Sequence, residues 1–313
     1  SSTSSEIFPA SEMQRAGIIL APRTYSSGEI VYGARSPGRY AQIDSYQDAL
    51  AHVRRLEAEG AASIKNYNQP RRDQRQQVAA AGRAENILVV PEGGSLFSMD
   101  ITLIQDGNST LEHNIPQARL YEDVLSLWSQ TRVAYNPTLV VTYGGLAGDP
   151  YWSQETPVWN HPLLTRHTPP DELAGRVRAV TAPADQFVDQ VNAREADRLA
   201  ERGVLIAIGG HGQQPGLAAH WELWSHVRGG ATPVEALRHG TVDGARAYGF
   251  TDLGTLEPGK LADLLILDAD PTQDIRNTDK IDRVMLNGRL YEAETLNEVV
   301  TGTRQRQPYF WED

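Results

Sequence analysis

The chain contains no cysteine. Disulfide-stapled scaffolds and thiolate metal sites are therefore excluded, and any metal must be held by His, by carboxylates or by a modified lysine. No apolar run comes near the roughly 18 residues of a membrane span. Positive charge is scarce: 29 Lys and Arg stand against 40 Asp and Glu, a net charge of −11. That balance argues against nucleic acid or an anionic membrane as partner, since both need clustered cations. The basic cluster Arg71, Arg72 and Arg75 reads as the solvated face of a helix. No G-x-S-x-G elbow occurs, which argues against a serine hydrolase of that type. The opening Ser1-Ser2-Thr3-Ser4-Ser5 has no initiator Met, no charged n-region and no apolar stretch, so it reads as a processed or truncated beginning and not as a targeting signal.

What is present is an ordinary globular composition, 40 % hydrophobic and 22 % charged, in 313 residues. That is enough for one large α/β domain or a barrel with an appendage. Short β-like runs alternate with amphipathic stretches, the pattern of a parallel sheet with crossover helices. A helix over 6–16 leads to a strand at 18–20. A helix over 45–59, with Leu50, Val53 and Leu56 on one face, stops at Gly60. Strands follow at 62–67, 87–90, 109–111, 133–141 and 204–208, with helices at 71–84, 99–105, 121–130, 186–201, 217–227 and 233–247. Residues 144–183, rich in Pro and aromatics, are long enough for an active-site lid. After Gly254 the pattern changes to strands at 262–267 and 283–286, a turn at Asn287-Gly288 and a strand from Leu290. The expected organisation is an incomplete (β/α) barrel over 1–254 and part of a small β domain with its tail over 255–313.

In a parallel barrel, function gathers at the C-terminal ends of the strands. Lys65, Glu92, His113 and His211 all sit at such ends. Singly each has a plain explanation: a snorkelling lysine, an acid at a helix start, two structural histidines. Their recurrence at four strand ends is the informative part, because a metal or acid–base site needs such convergence. The loop Gly209-Gly210-His211-Gly212 could also cradle a phosphate, although its spacing is not that of a dinucleotide site. Asp189, Glu195 and Asp197 fall on a helix with basic neighbours and read as an ion-paired solvent face. Tyr67, Tyr143 and His220 are the candidate substrate-contacting residues. His220 and Glu222 lie too close in sequence to share one helical face.

The run Thr232-Pro233-Val234-Glu235-Ala236-Leu237, then Gly244-Ala245-Arg246-Ala247, resembles the last barrel helices of the amidohydrolase superfamily. Gly254-Thr255-Leu256-Glu257-Pro258-Gly259-Lys260-Leu261-Ala262-Asp263-Leu264 is similar to that superfamily's return into its small β domain. Asp270-Pro271, Ile275-Arg276-Asn277 and Val284-Met285-Leu286-Asn287-Gly288 complete the pattern. The resemblance is to the imidazolonepropionase-like branch, in particular to propeller-fused members, and it covers nearly the whole chain.

The resemblance implies a truncated TIM-like barrel holding one or two divalent metal ions, zinc first. Lys65, carboxylated, would stand where the fourth-strand ligand does, His113 would be the sixth-strand histidine, and Glu92 would replace the usual fifth-strand histidine. His211 would replace the eighth-strand Asp, ligating metal and carrying the proton of the attacking water, with Glu92 as the second catalytic group. The first strand with its His-x-His pair has no counterpart. The function implied is metal-dependent hydrolysis of an amide or related C–N bond, or of an ester, in a small molecule. The alternative is a non-catalytic or metal-free remnant that binds a small ligand or assembles with a partner. A homo-oligomer or an N-terminal segment would cover the edges that a truncated barrel leaves. The propeller-fused relatives tip the compartment towards periplasmic or secreted.

Overall fold

The computed structural model describes residues 5–35, 40–175 and 181–312. The first four residues of the serine-rich start and residues 176–180 of the expected lid lie outside these. The chain divides into two compact units, 1–137 with 198–205 and 138–197 with 206–313.

The first unit begins with α1 (Ile7–Arg15) and α2 (Tyr46–Glu59), followed by β1 (Ser63–Asn66), α3 (Arg72–Glu85), β2 (Leu88–Pro91), α4 (Phe97–Gln105), β3 (Thr110–Glu112), α5 (Glu122–Ser129) and β4 (Ala134–Asn136). The β1–β2 and β3–β4 pairs are parallel, and a parallel bridge between Glu92 and Glu112 joins them. Val31 bridges Asn66 on the outer side of β1, and the Tyr135 amide donates to the Leu205 carbonyl at 2.8 Å beyond β4. The parallel lanes thus run in chain order from Val31 to Leu205. No closed sheet forms among the described residues.

Period-2 alternation sorts the side chains of these strands. Ile64 and Val89 join Val53 and Leu56 of α2 and Val78 and Ala81 of α3 in one buried cluster. Lys65, between Ile64 and Asn66, therefore faces away from the helices. The helices form where the sequence places them: Ser45 caps α2 in a reciprocal box with Asp48, and Gly60 ends it in the left-handed conformation at φ 103°.

The second unit holds α6 (Gly148–Glu155), α7 (Pro162–His167), α8 (Pro170–Gly175), most of α9 (Asp189–Ala200), α10 (Ala218–Gly229), α11 (Pro233–His239) and α12 (Val242–Ala247). An antiparallel sheet of β5 (Leu264–Leu267), β6 (Ile281–Leu286) and β7 (Arg289–Glu292) follows. Asn287 and Gly288, both with positive φ, make the β6–β7 turn that right-handed strand twist favours. Trp152, Leu164, Trp221 and Trp224 lie in its core. Trp152 of the expected lid is thus a packing residue, its indole N–H donating to Ser225 Oγ at 2.7 Å.

Several expected elements differ. Residues 18–20 form no strand and Ile18 is exposed. The strand expected over 133–141 ends at Asn136, because Pro137 has no amide to pair, and a 3-10 turn covers Leu139–Val141. Residues 204–208 contribute backbone hydrogen bonding at Leu205 but no regular strand. The helix expected over 233–247 breaks at Gly240–Thr241, where Thr241 leaves helical geometry. The largest correction concerns Asp189, Glu195 and Asp197, expected on a solvent face. Asp189 is fully buried, bonded to Arg228 at 2.5 Å, and Glu195 is buried too. α9 and α10 approach so closely that a Cβ on Gly229 would lie 2.4 Å from Ala193 Cβ, so the acidic side of α9 turns towards α10.

Candidate active site

Three of the strand-end residues meet in the first unit. Lys65 Nζ forms an ion pair with Glu92 Oε2, and His113 Nε2 lies 3.1 Å from Glu92 Oε1. All three side chains are nearly enclosed, with 12 %, 10 % and 4 % of their surface exposed. Backbone geometry makes the meeting possible. The Glu92 amide donates to Asn66 O at 3.1 Å and the Gly93 amide to Glu112 O at 2.8 Å, so the three strand ends are stitched side by side. A Cβ on Gly93 would sit 2.4 Å from the Glu112 carbonyl oxygen, which is why glycine follows Glu92. His113 adopts φ 70°, a left-handed conformation that is costly for a residue with a side chain. Such strain gathers at functional sites, and here it comes one residue past the end of β3.

The neighbours fix this arrangement. Glu112 accepts from Thr110 Oγ1 at 2.6 Å and from Asn136 Nδ2 at 2.9 Å, which ties β3 to β4. Asp100 on α4 is buried and accepts from the Gly94 amide at 2.9 Å, anchoring the turn after Glu92. Burial pushes the Asp100 carboxyl up to about 7, against the pull of the Gly94 amide and Arg75. Burial would also raise Glu92, but the hydrogen bond from His113 and the Lys65 charge outweigh it and hold its pKa at about 2. Glu92 is therefore anionic throughout the ordinary pH range.

The donor types, an ionised carboxylate and an imidazole nitrogen, are ones that divalent cations take, and the two atoms now meet each other in a 3.1 Å hydrogen bond that a metal would replace. Two ligands on a tetrahedral zinc ion stand about 3.3 Å apart at the usual bond lengths. An ammonium at Lys65 does not bind metal, whereas a carboxylated Lys65 would add a second anionic oxygen donor.

Tyr67 lies just past β1, half-buried and packed edge-on against Tyr32 with ring centroids 5.3 Å apart. His211, Tyr143 and His220 belong to the second unit. His211 is exposed, at φ 51°, with Nδ1 2.8 Å from Gln213 Oε1. Tyr143 and His220 are half-buried, and burial lowers the His220 pKa. Glu222 is fully buried and receives the amides of Val140 at 2.6 Å and Gly209 at 3.2 Å, holding the starts of two loops. Burial drives its carboxyl up to about 8 despite those amides. A cavity of about 1050 Å3 in the same unit is lined by His161, Arg166, Asp279 and Trp311 among others, and by none of the expected site residues.

Sequence reading missed one cluster. Asp197 of α9, His226 of α10 and His239 of α11 place ligand-type atoms within 4.8 Å of one another. The only available signal was two histidines in the last turns of successive helices.

Residues 171–291 match the Amidohydrolase family. No curated protein matches the chain. Among solved structures, a Xaa-Pro dipeptidase with methionine bound in its active site is similar over 93 % of this chain and 73 % of its own, at 20 % identity and a TM-score of 0.68. Phenylurea hydrolase B is similar over 95 % and 74 %, at 19 % identity and a TM-score of 0.66. An adenosine deaminase from Xanthomonas campestris with bound zinc is similar over 91 % and 68 %, at 14 % identity and a TM-score of 0.53.

Proposed function

With an Amidohydrolase-family domain over residues 171–291 as the premise, we propose that this chain hydrolyses an amide or related C–N bond of a small molecule. The observation that carries the reading is the convergence of Lys65, Glu92 and His113 at three adjacent parallel strand ends. In parallel barrels, catalysis occurs at that end of the strands. The peptide and urea bonds named for the dipeptidase and the phenylurea hydrolase are both C–N bonds next to a carbonyl, which supports the same bond class here.

The proposal includes a divalent metal, zinc first, held by Glu92, by His113 and by Lys65 in carboxylated form. Such an ion polarises a carbonyl and makes bound water acidic enough to attack near neutral pH. The chain's own groups supply the rest. With Lys65 as an ammonium Glu92 is ionised; with Lys65 carboxylated, the metal's charge would take the ammonium's place beside Glu92, which suits a ligand better than a proton carrier. His113 is oriented by its own strained backbone, and as a ligand its Nε2 would give up its present contact with Glu92 and turn to the metal. Tyr67 would lie beside the substrate. For His211, as proton carrier and further ligand, and for Tyr143 and His220, as substrate contacts, the roles rest on sequence alone, and substitution tests them.

The parallel lanes are read as part of a TIM-like barrel over 1–254, with 255–313 belonging to a small β domain. A homo-oligomeric assembly is part of the same proposal, tested by solution mass. The activity is tested by incubating the purified full chain with dipeptides, N-acyl amino acids and phenylureas, as purified and after chelation with zinc restored. Amine release from at least one class, lost on chelation and regained with zinc, is the expected result. No release from any class with zinc present would leave a ligand-binding or assembly role instead.

A further inference from the structure

In the helical layer of the second unit, Asp197, His226 and His239 turn towards one another. His226 Nδ1 lies 3.6 Å and His239 Nε2 3.8 Å from the same oxygen, Asp197 Oδ1. The two rings are tilted at 58° with centroids 4.9 Å apart. His226 is completely buried and His239 is 4 % exposed. Both carboxylate oxygens of Asp197 and all four ring nitrogens lack a hydrogen-bond partner. Buried polar atoms are normally satisfied, and orphans cost stability. Here six of them gather on three side chains that meet, at separations too long for direct hydrogen bonds.

Those separations suit a different occupant. Ligand atoms bound to one tetrahedral zinc ion stand about 3.3 Å apart; the two distances to Asp197 Oδ1 exceed that by a few tenths of an ångström, and all three ligand-type atoms lie within 4.8 Å of one another. One carboxylate with two imidazoles is a donor set that favours zinc-like ions over calcium or magnesium. The other ring nitrogen of His239, Nδ1, has Asp243 Oδ2 3.9 Å away, beyond hydrogen-bond reach. Each of the three residues lies in the final turn or final residues of its helix, where the macrodipole favours a positive charge. Asp197 keeps 20 % of its side chain exposed, while both of its carboxylate oxygens are buried and face the cluster.

We propose that Asp197, His226 and His239 form a zinc-type site that ties α9, α10 and α11 together. It is made from helices, and none of its ligands comes from a strand end. Because its ligands come from three helices that meet only in the folded chain, binding should raise the melting temperature.

The test is metal binding by the full chain after chelator treatment and dialysis. Zinc is titrated and counted by elemental mass spectrometry, cobalt is followed by its visible absorption, and melting temperature is recorded with and without zinc. Wild type, Asp197→Asn, His239→Asn and His113→Asn are compared, with circular dichroism to check folding. The expected result is one zinc equivalent that survives His113→Asn, gives a tetrahedral cobalt spectrum and raises Tm. Asp197→Asn and His239→Asn should weaken that equivalent by on the order of 100-fold and abolish the rise in Tm, since two ligands do not hold zinc as three do. Asp197→Asn keeps size and shape, so it remains informative if a histidine variant misfolds. Unchanged zinc binding in Asp197→Asn, or no zinc in His113→Asn, would overturn the proposal.

Discussion

Glu92 carries a charge that has been taken out of water and answered twice, by Lys65 and by His113. Its folded pKa of about 2 lies below the unfolded value of 4.5. The stability it contributes is therefore complete above pH 4.5 and is lost as pH falls towards 2, by up to about 3 kcal/mol. Urea unfolding of wild type and Glu92→Gln from pH 2.5 to 6 should show a steeper loss of stability on acidification in the wild type. Lys65→Met removes one partner and leaves the carboxylate buried, an expected loss of about 3 kcal/mol in the same assay at pH 7. Glu222 works in the opposite sense. Its folded pKa of about 8 lies above 4.5, so the stability linked to it is full below pH 4.5 and is lost as pH rises to 8. Glu222→Gln should flatten the fall in stability between pH 5 and 8. Lys65, Glu92 and His113 were legible in the sequence because each ends a short β-like run with a polar residue. Asp197, His226 and His239 were not, because helical charge patterns look alike whether the face meets water or another helix.

At the level of elements, the close contact of Gly93 with the Glu112 carbonyl is what lets β2 and β3 end side by side. Gly93→Ala should push those ends apart, lowering any activity of the chain while circular dichroism stays native. Ser45 caps α2 through the Asp48 amide, and Ser45→Ala should cost about 1 kcal/mol in thermal or urea unfolding. α2 is legible in the sequence because its apolar spacing, its capping serine and its terminal glycine agree. The same holds for β6 and β7, where alternation meets an Asn-Gly turn. Other elements depart from their local patterns because tertiary contacts decide them. The strand expected over 133–141 is cut at Pro137, and the Val140 amide goes to Glu222 instead of a neighbouring strand. The helix expected over 233–247 is broken where a Cβ on Gly240 would lie 2.9 Å from Leu223 Cδ2.

At the scale of the whole molecule, the alternation of short strands and helices points to the α/β class, because parallel lanes need crossover helices. The compact units are harder to foresee. Residues 198–205 return to the first unit after sixty residues of the second, through contacts such as Tyr135 to Leu205 that no local pattern announces. No helix among the described residues is long and apolar enough to cross a membrane. If Lys65, Glu92 and His113 form the hydrolytic site, removing the imidazole should remove the chemistry. The most direct measurement is amine release by His113→Asn against wild type on the best substrate found, at equal zinc and matched melting temperature. A loss of on the order of 100-fold or more in kcat/KM is expected. A variant that keeps the wild-type rate would contradict that assignment and move the chemistry to another part of the chain.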